Sequence, residues 1–220
     1  MLMLIVIRDL GSSLMFFGAF LALLYVATGR LSLIGVGATM FFGGAFYLAR
    51  TVSHVQERVD IWIDPFKPGV VNDEGYQIAQ SLFAQADGGL FGRGFGEALI
   101  EFGGVNIIPA AHTDLIYAVL VNEAGLFGAA GVIGAYLLLS FRGFKTAILA
   151  NDGFSKLLAT GLTAVLALQV FVIVGGVTRV IPLTGVTLPF VSYGGSSIVA
   201  NFVLLALLLL ISDQARRPAR

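Results

Sequence analysis

Four stretches of this 220-residue chain hold no charged residue, 10–29, 31–49, 157–178 and 180–212, and a fifth, 115–141, holds only Glu123. A helix that crosses a bilayer needs about 20 apolar residues at about 1.5 Å each. The stretches therefore predict an all-α, polytopic transmembrane helical bundle of about five spans, at about 10–29, 31–50, 114–141, 157–178 and 190–212. The last stretch is too long for one helix, and Pro182 and Pro189 break its beginning into a loop. Composition agrees: 57% of residues are hydrophobic and 12% charged, half the roughly 25% charge of an ordinary soluble domain. A soluble enzyme and a disordered tail are excluded. So is a nucleic-acid binder, because thirteen bases balance thirteen acids. With no cysteine and only His54 and His112, Cys-based and His-rich metal centres are excluded as well.

Short-loop bases set the expected orientation. Arg30, Arg142, Lys145, Lys156, Arg216, Arg217 and Arg220 fall on one side, against Arg8, Arg50 and Arg179 on the other. Seven against three predicts a cytoplasmic C-terminus, with the 51–113 loop and the 179–189 loop facing outward. Residues Met1 to Ile7 lack a basic n-region and a cleavage site, so they read as the end of a hydrophobic segment in a longer chain rather than a signal peptide. The outward loop, taken with Asp114 at the entry to the third span, holds nine of the thirteen acids. Within it Ala79, Leu82, Phe83 and Ala86 alternate with Gln77, Gln80 and Gln85, which predicts a short amphipathic helix capped by Asn72 or Asp73 and stopped at Gly88-Gly89. Such a helix suits a membrane surface or the lid of a cavity, and an ordered loop without function is the plainer alternative.

Two acids stand out. Asp114 sits at the mouth of the third span, where a carboxylate is partly desolvated and usable as a base. The same position also suits a helix cap by Thr113 or Asp114, and the two roles are compatible. Glu123 lies nine residues further on, about 13 Å along the helix, where a charge faces a cavity or makes a structural hydrogen bond between helices. Gly125, Gly128, Gly131 and Gly134 recur every third residue and predict close packing of another helix. The run Gly92-Arg93-Gly94-Phe95-Gly96 lacks a preceding strand and the full glycine fingerprint of a dinucleotide loop. Arg58, Arg93 and Arg179 are outward cations able to hold a phosphate, although such arginines are more often solvated or snorkelling. The segment from Thr178 to Ser197 combines two prolines, a diglycine and repeated hydroxyls. At membrane depth such backbone is tolerated only inside protein or along a watery cavity.

That segment resembles the signature of the SEDS family (shape, elongation, division and sporulation), the FtsW/RodA/SpoVE proteins. Further matches follow in order: Arg8-Asp9-Leu10-Gly11, Arg58-Val59 through Asp64-Pro65, Gly75-Tyr76-Gln77, Gln80-Ser81, Gly88 to Gly92, His112-Thr113-Asp114 and Glu123-Ala124-Gly125. The resemblance covers essentially the whole chain and corresponds to the C-terminal half of a family with about ten spans. Thr178-Arg179 is more similar to the elongation branch of high-GC Gram-positive bacteria. Two departures stand: Asn122 takes the place of the first of two glutamates, and Ile108-Pro109-Ala110 replaces a Leu-Pro-Glu run.

The resemblance implies an inverting glycosyltransferase of the bacterial cytoplasmic membrane that polymerises lipid II into peptidoglycan. Asp114 would be the catalytic base, and polyprenyl pyrophosphate the leaving group. Arg58, His112, Thr113, Glu123, Arg179, Thr184, Ser192 and Ser196 would line the substrate. Outward arginines, or a divalent cation such as Mg2+, would stabilise the leaving charge, and a class B penicillin-binding transpeptidase would be the partner. The alternatives are a lipid-precursor transporter, or flippase, and a non-catalytic scaffold for that transpeptidase. A transporter favours internal repeats and midplane charges. No repeat is evident in this sequence, and only Glu123 is deep.

Overall fold

The computed structural model describes residues 10–73, 75–98, 101–102, 105–108 and 111–216. Arg8-Asp9, Pro109-Ala110, Arg217 and Arg220 therefore lie outside the described residues. Seven helices follow in order among those described: α1 (Leu10–Thr28), α2 (Leu31–Thr51), α3 (Ser53–Ile63), α4 (Tyr76–Gly88), α5 (Ile116–Leu149), α6 (Gly153–Val177) and α7 (Gly195–Arg216). A two-residue antiparallel ladder, β1 (Glu101–Phe102) with β2 (Val105–Asn106), lies between α4 and α5. Five helices, α1, α2, α5, α6 and α7, are long and apolar enough to cross a membrane.

Helix α6 is the centre. About half of its apolar stretch is buried inside the chain, against 6% for α2. Lipid gives no hydrophobic drive between helices, so close approach of small residues must supply the packing. Thus Gly143 of α5 lies against Thr163 of α6, where any side chain on the glycine would collide with the threonine. Ala159, Leu166, Val172 and Ile173 are almost wholly enclosed around this line.

The three-residue glycine stripe packs otherwise than its spacing predicts. Gly131 and Gly134 meet nothing within 4 Å, while Gly125 leaves the helical conformation altogether (φ 68°, ψ −172°). Helix α5 is thus two helical pieces joined at Gly125. The spacing could not distinguish a packing stripe from a break.

The loop between α2 and α5 also carries more structure than one amphipathic helix. Helix α3 was not expected there, although Val55, Val59 and Trp62 follow the i, i+4, i+7 rule of an amphipathic face. Val55 is buried, and Pro65 ends the helix by keeping Asp64 out of the helical region (φ −145°, ψ 84°). Helix α4 matches the glutamine-patterned segment and stops at Gly89 (φ 54°). Its N-cap is Gly75 without a side-chain bond, in place of Asn72 or Asp73.

At the other end of the bundle Asp152 caps α6, accepting from the Ser155 amide at 2.9 Å. Its bonds to Ser155 hold this carboxyl below its ordinary 3.8. A lowered folded value means the cap stabilises above the unfolded pKa and is lost as pH falls through the folded one. Asp152→Ala should therefore lower the melting temperature at pH 7, and this deficit should vanish in acid. Asp152→Asn, which retains the accepting oxygen, should lack that pH dependence; thermal unfolding in detergent across pH 3–7 would measure both.

Candidate active site

The site is built where the α5 N-terminus, the α6 C-terminus and the broken segment before α7 meet. Helix α6 ends in a Schellman arrangement: the Val180 amide donates to Gly175 O at 2.8 Å and the Arg179 amide to Gly176 O at 3.3 Å. The position that normally carries glycine is Arg179, at φ 62°. A side chain there costs about 1–2 kcal/mol in the left-handed conformation. Strain of this kind at a candidate site points to a use for the side chain. Arg179 Nη2 donates to Ile63 O at 3.0 Å, and Trp62 Nε1 donates to Arg179 O at 3.0 Å. Arg58 Nη1 reaches Leu183 O at 2.8 Å. Both arginines therefore clamp α3 onto the 178–189 segment through one donor each, and a guanidinium has five.

Arg179→Gly separates backbone from side chain. It should relieve the strain and leave the melting temperature equal or higher, while severing the clamp. Activity that falls in a protein no less stable than the parent would assign the loss to the guanidinium.

The turn that bears Asp114 is fixed from the far side of the same segment. The Tyr193 amide donates to His112 O at 2.7 Å. The Ser192 hydroxyl donates to Thr113 O while accepting from the Leu188 amide, the latter at 2.7 Å. Ser192 is buried and its oxygen is occupied on both sides, so it holds the turn in place. Thr113 Oγ1 donates to Asp114 Oδ1 at 2.9 Å, and Asp114 is half-buried. The expected cap is absent. Helix α5 begins after Leu115 with no side-chain cap bond, which leaves the Asp114 carboxylate out of that role. A shallow cavity of about 450 Å³ adjoins the turn, lined by His112, Ile116, Val191, Ser192, Tyr193 and Ile198.

The other expected site residues divide. Thr184 lies against Gly11 of α1, and Ser196 is exposed on the first turn of α7. Glu123 belongs to a separate junction, where the 89–96 loop is threaded onto the break in α5. Arg93 and Gly94 amides donate to the carbonyls of Asn122 and Glu123 at 2.9 and 3.0 Å, and Leu126 and Phe127 amides donate back to Gly89 and Leu90. The Glu123 carboxylate accepts from the Gly96 amide at 3.1 Å. This is a structural bond, made to a loop rather than to another helix. Beside it Arg93 pairs with Asp87 at 2.6 Å, and Asp87 accepts from Asn122 Nδ2 at 3.1 Å. Asn122 Oδ1 is buried without a partner.

Residues sequence reasoning missed are Trp62, Tyr136 and Tyr193. Tyr136 donates to Pro189 O and holds the strained Phe190 turn (φ 65°). A lone polar aromatic within an apolar run was the available signal. Among the described residues no group of three or more histidines, aspartates or glutamates is placed to hold a metal ion.

A family model described as a cell cycle protein, FTSW_RODA_SPOVE, matches residues 1–217. The chain is 47% identical over 213 residues to the peptidoglycan glycosyltransferase RodA of Mycobacterium tuberculosis, covering 97% of this chain and 44% of that protein. It is 33% identical over 212 residues to the stage V sporulation protein E of Bacillus subtilis. A solved structure described as a peptidoglycan synthase complex that coordinates polymerization and crosslinking superimposes with a TM-score of 0.73 at 26% identity, over 99% of this chain and 59% of that one. The chain thus spans less than half the length of the mycobacterial relative.

Proposed function

The chain belongs to the FtsW/RodA/SpoVE family, and on that premise we propose that the protein it represents is a membrane glycosyltransferase polymerising lipid II into glycan strands. The observation that carries this reading is the Asp114 turn. Its carboxylate is half-buried and makes no helix-capping bond, and the turn that bears it is held beside a cavity by bonds from Ser192 to Thr113 O and from the Tyr193 amide to His112 O. In the proposed step Asp114 takes the proton of an acceptor-sugar hydroxyl. That oxygen attacks the anomeric carbon of the donor, the bond from this carbon to the pyrophosphate oxygen breaks, and polyprenyl pyrophosphate departs with the electron pair. The sugar inverts. General-base assistance of this kind contributes about 10²–10⁴-fold.

In this reading the remaining donors of Arg58 and Arg179 stabilise the charge that develops on the pyrophosphate. His112 and Thr113 position the base, and Thr184 and Ser196 flank the segment. No step is routed through Mg2+. The names of the relatives support the polymerase reading, and the seven-to-three distribution of bases supports placing the Asp114 end outside the cytoplasmic membrane. A class B penicillin-binding transpeptidase is the proposed partner, in keeping with the solved synthase complex.

The test is lipid II turnover by the full-length protein with its transpeptidase in detergent micelles, where no compartment exists to transport across. Glycan strands on a gel support a polymerase. Intact lipid II under conditions where the complex is folded would favour the transporter or the scaffold.

A further inference from the structure

At the end of the bundle away from Asp114, a second cavity of about 370 Å³ opens between α5 and α7. Arg142, Lys145, Thr146 and Leu149 follow i, i+3, i+4, i+7 spacing and so form one stripe of α5, and Ser212 and Arg216 face them from α7. The unbroken piece of α5 from Leu126 to Arg142 alone rises about 24 Å, so this cavity is no part of the Asp114 site. Three cations line it and no acid does. The Thr146 hydroxyl donates to Arg142 O at 3.0 Å, which leaves the guanidinium, ammonium and Ser212 groups as donors to a ligand. Three like charges around one hollow repel one another; the negative end of the α7 dipole offsets part of that repulsion, and an anion among them would offset the rest.

The surroundings say which anion. The charge-free stretches of both helices end here, at Phe141 and at Ser212. Large apolar side chains stand exposed nearby: Phe141 and Ile148 on α5, Leu209 and Leu210 on α7. A hollow lined by cations at the apolar boundary, with uncovered hydrocarbon beside it, matches a phosphate group that carries acyl chains. We propose that this cavity binds the phosphodiester headgroup of an anionic membrane lipid. Such a site depends neither on polymerase activity nor on which leaflet this end faces.

Native mass spectrometry of the full-length protein from mixed micelles tests it directly. The parent should retain phosphatidylglycerol at least tenfold over phosphatidylcholine, and 0.5 M salt should reduce that preference through screening. Inorganic phosphate at equal concentration should compete weakly, because it lacks the chains. The variant Arg142→Gln/Lys145→Gln/Arg216→Gln should lose the preference about tenfold, whereas Lys156→Gln, which removes a cation that does not line the cavity, should keep it. Equal retention of the two lipids by the parent, or an unchanged preference in the triple variant, overturns the proposal. Phosphate competing as well as the lipid would assign the cavity to a free anion and overturn it too. If the triple variant does not fold, the parent's lipid selectivity and the phosphate competition still decide the matter.

Discussion

Asp114→Asn should reduce glycan synthesis by the full-length protein with its transpeptidase by about two to four orders of magnitude, the range that general-base catalysis supplies. Asparagine is nearly isosteric with aspartate and keeps an oxygen to accept from Thr113 Oγ1. The bonds from Ser192 and from the Tyr193 amide go to backbone carbonyls and are untouched. The melting temperature should therefore be within about a degree of the parent, and lipid II should still bind. The variant removes basicity and little else. A rate within a factor of three of the parent would eliminate Asp114 as the base, and a large fall in stability would show that its charge is structural.

Gly92→Ala should have the largest effect on folding. Gly92 lies in the left-handed region (φ 79°), and an added methyl would fall on the Glu123 carbonyl. Both partners are backbone, so neither can swing aside. The loop must lift, and the amide bonds of Arg93 and Gly94 to α5 go with it. Left-handed strain of about 1–2 kcal/mol plus amides and carbonyls left unpaired at about 1–3 kcal/mol each give a loss of about 3–5 kcal/mol. Gly96→Ala is the control. It has a similar φ of 81° but nothing within 4 Å, so only the strain should register. Thermal unfolding together with limited proteolysis between residues 89 and 96 would measure both. Equal shifts for the two variants would show that the close approach to α5 carries no weight.

The helices that cross the bundle were legible in the sequence because charge is costly in lipid. Arg30, Arg50 and Arg142 mark the edges of the charge-free stretches by their cost alone, and α4 was legible through its glutamine spacing. The break at Gly125 was hidden for a physical reason. It depends on Gly92, thirty-three residues earlier, and a glycine repeated every third position reads equally as close helix packing. Asp114 was legible as a polar residue at a span mouth. The parts of Ser192 and Arg179 were not, because their hydrogen bonds go to carbonyls 79 and 116 residues away, and every residue type has a carbonyl. The SEDS motifs pointed to the candidate site, but they could not say which hydroxyls are consumed in holding the turn.

The interruption of α5 also divides the molecule mechanically. Residues 116–124 are joined to the remainder of their helix by a single non-helical residue, and the 89–96 loop bridges that break, bonding Asn122 and Glu123 on one side and Leu126 and Phe127 on the other. A load applied to that loop, or to α4 through Ala84 and Asp87, would therefore reach the short piece that follows Asp114 as well as the longer one. The carboxylate rides with the loops, so whatever grips them holds a lever on it.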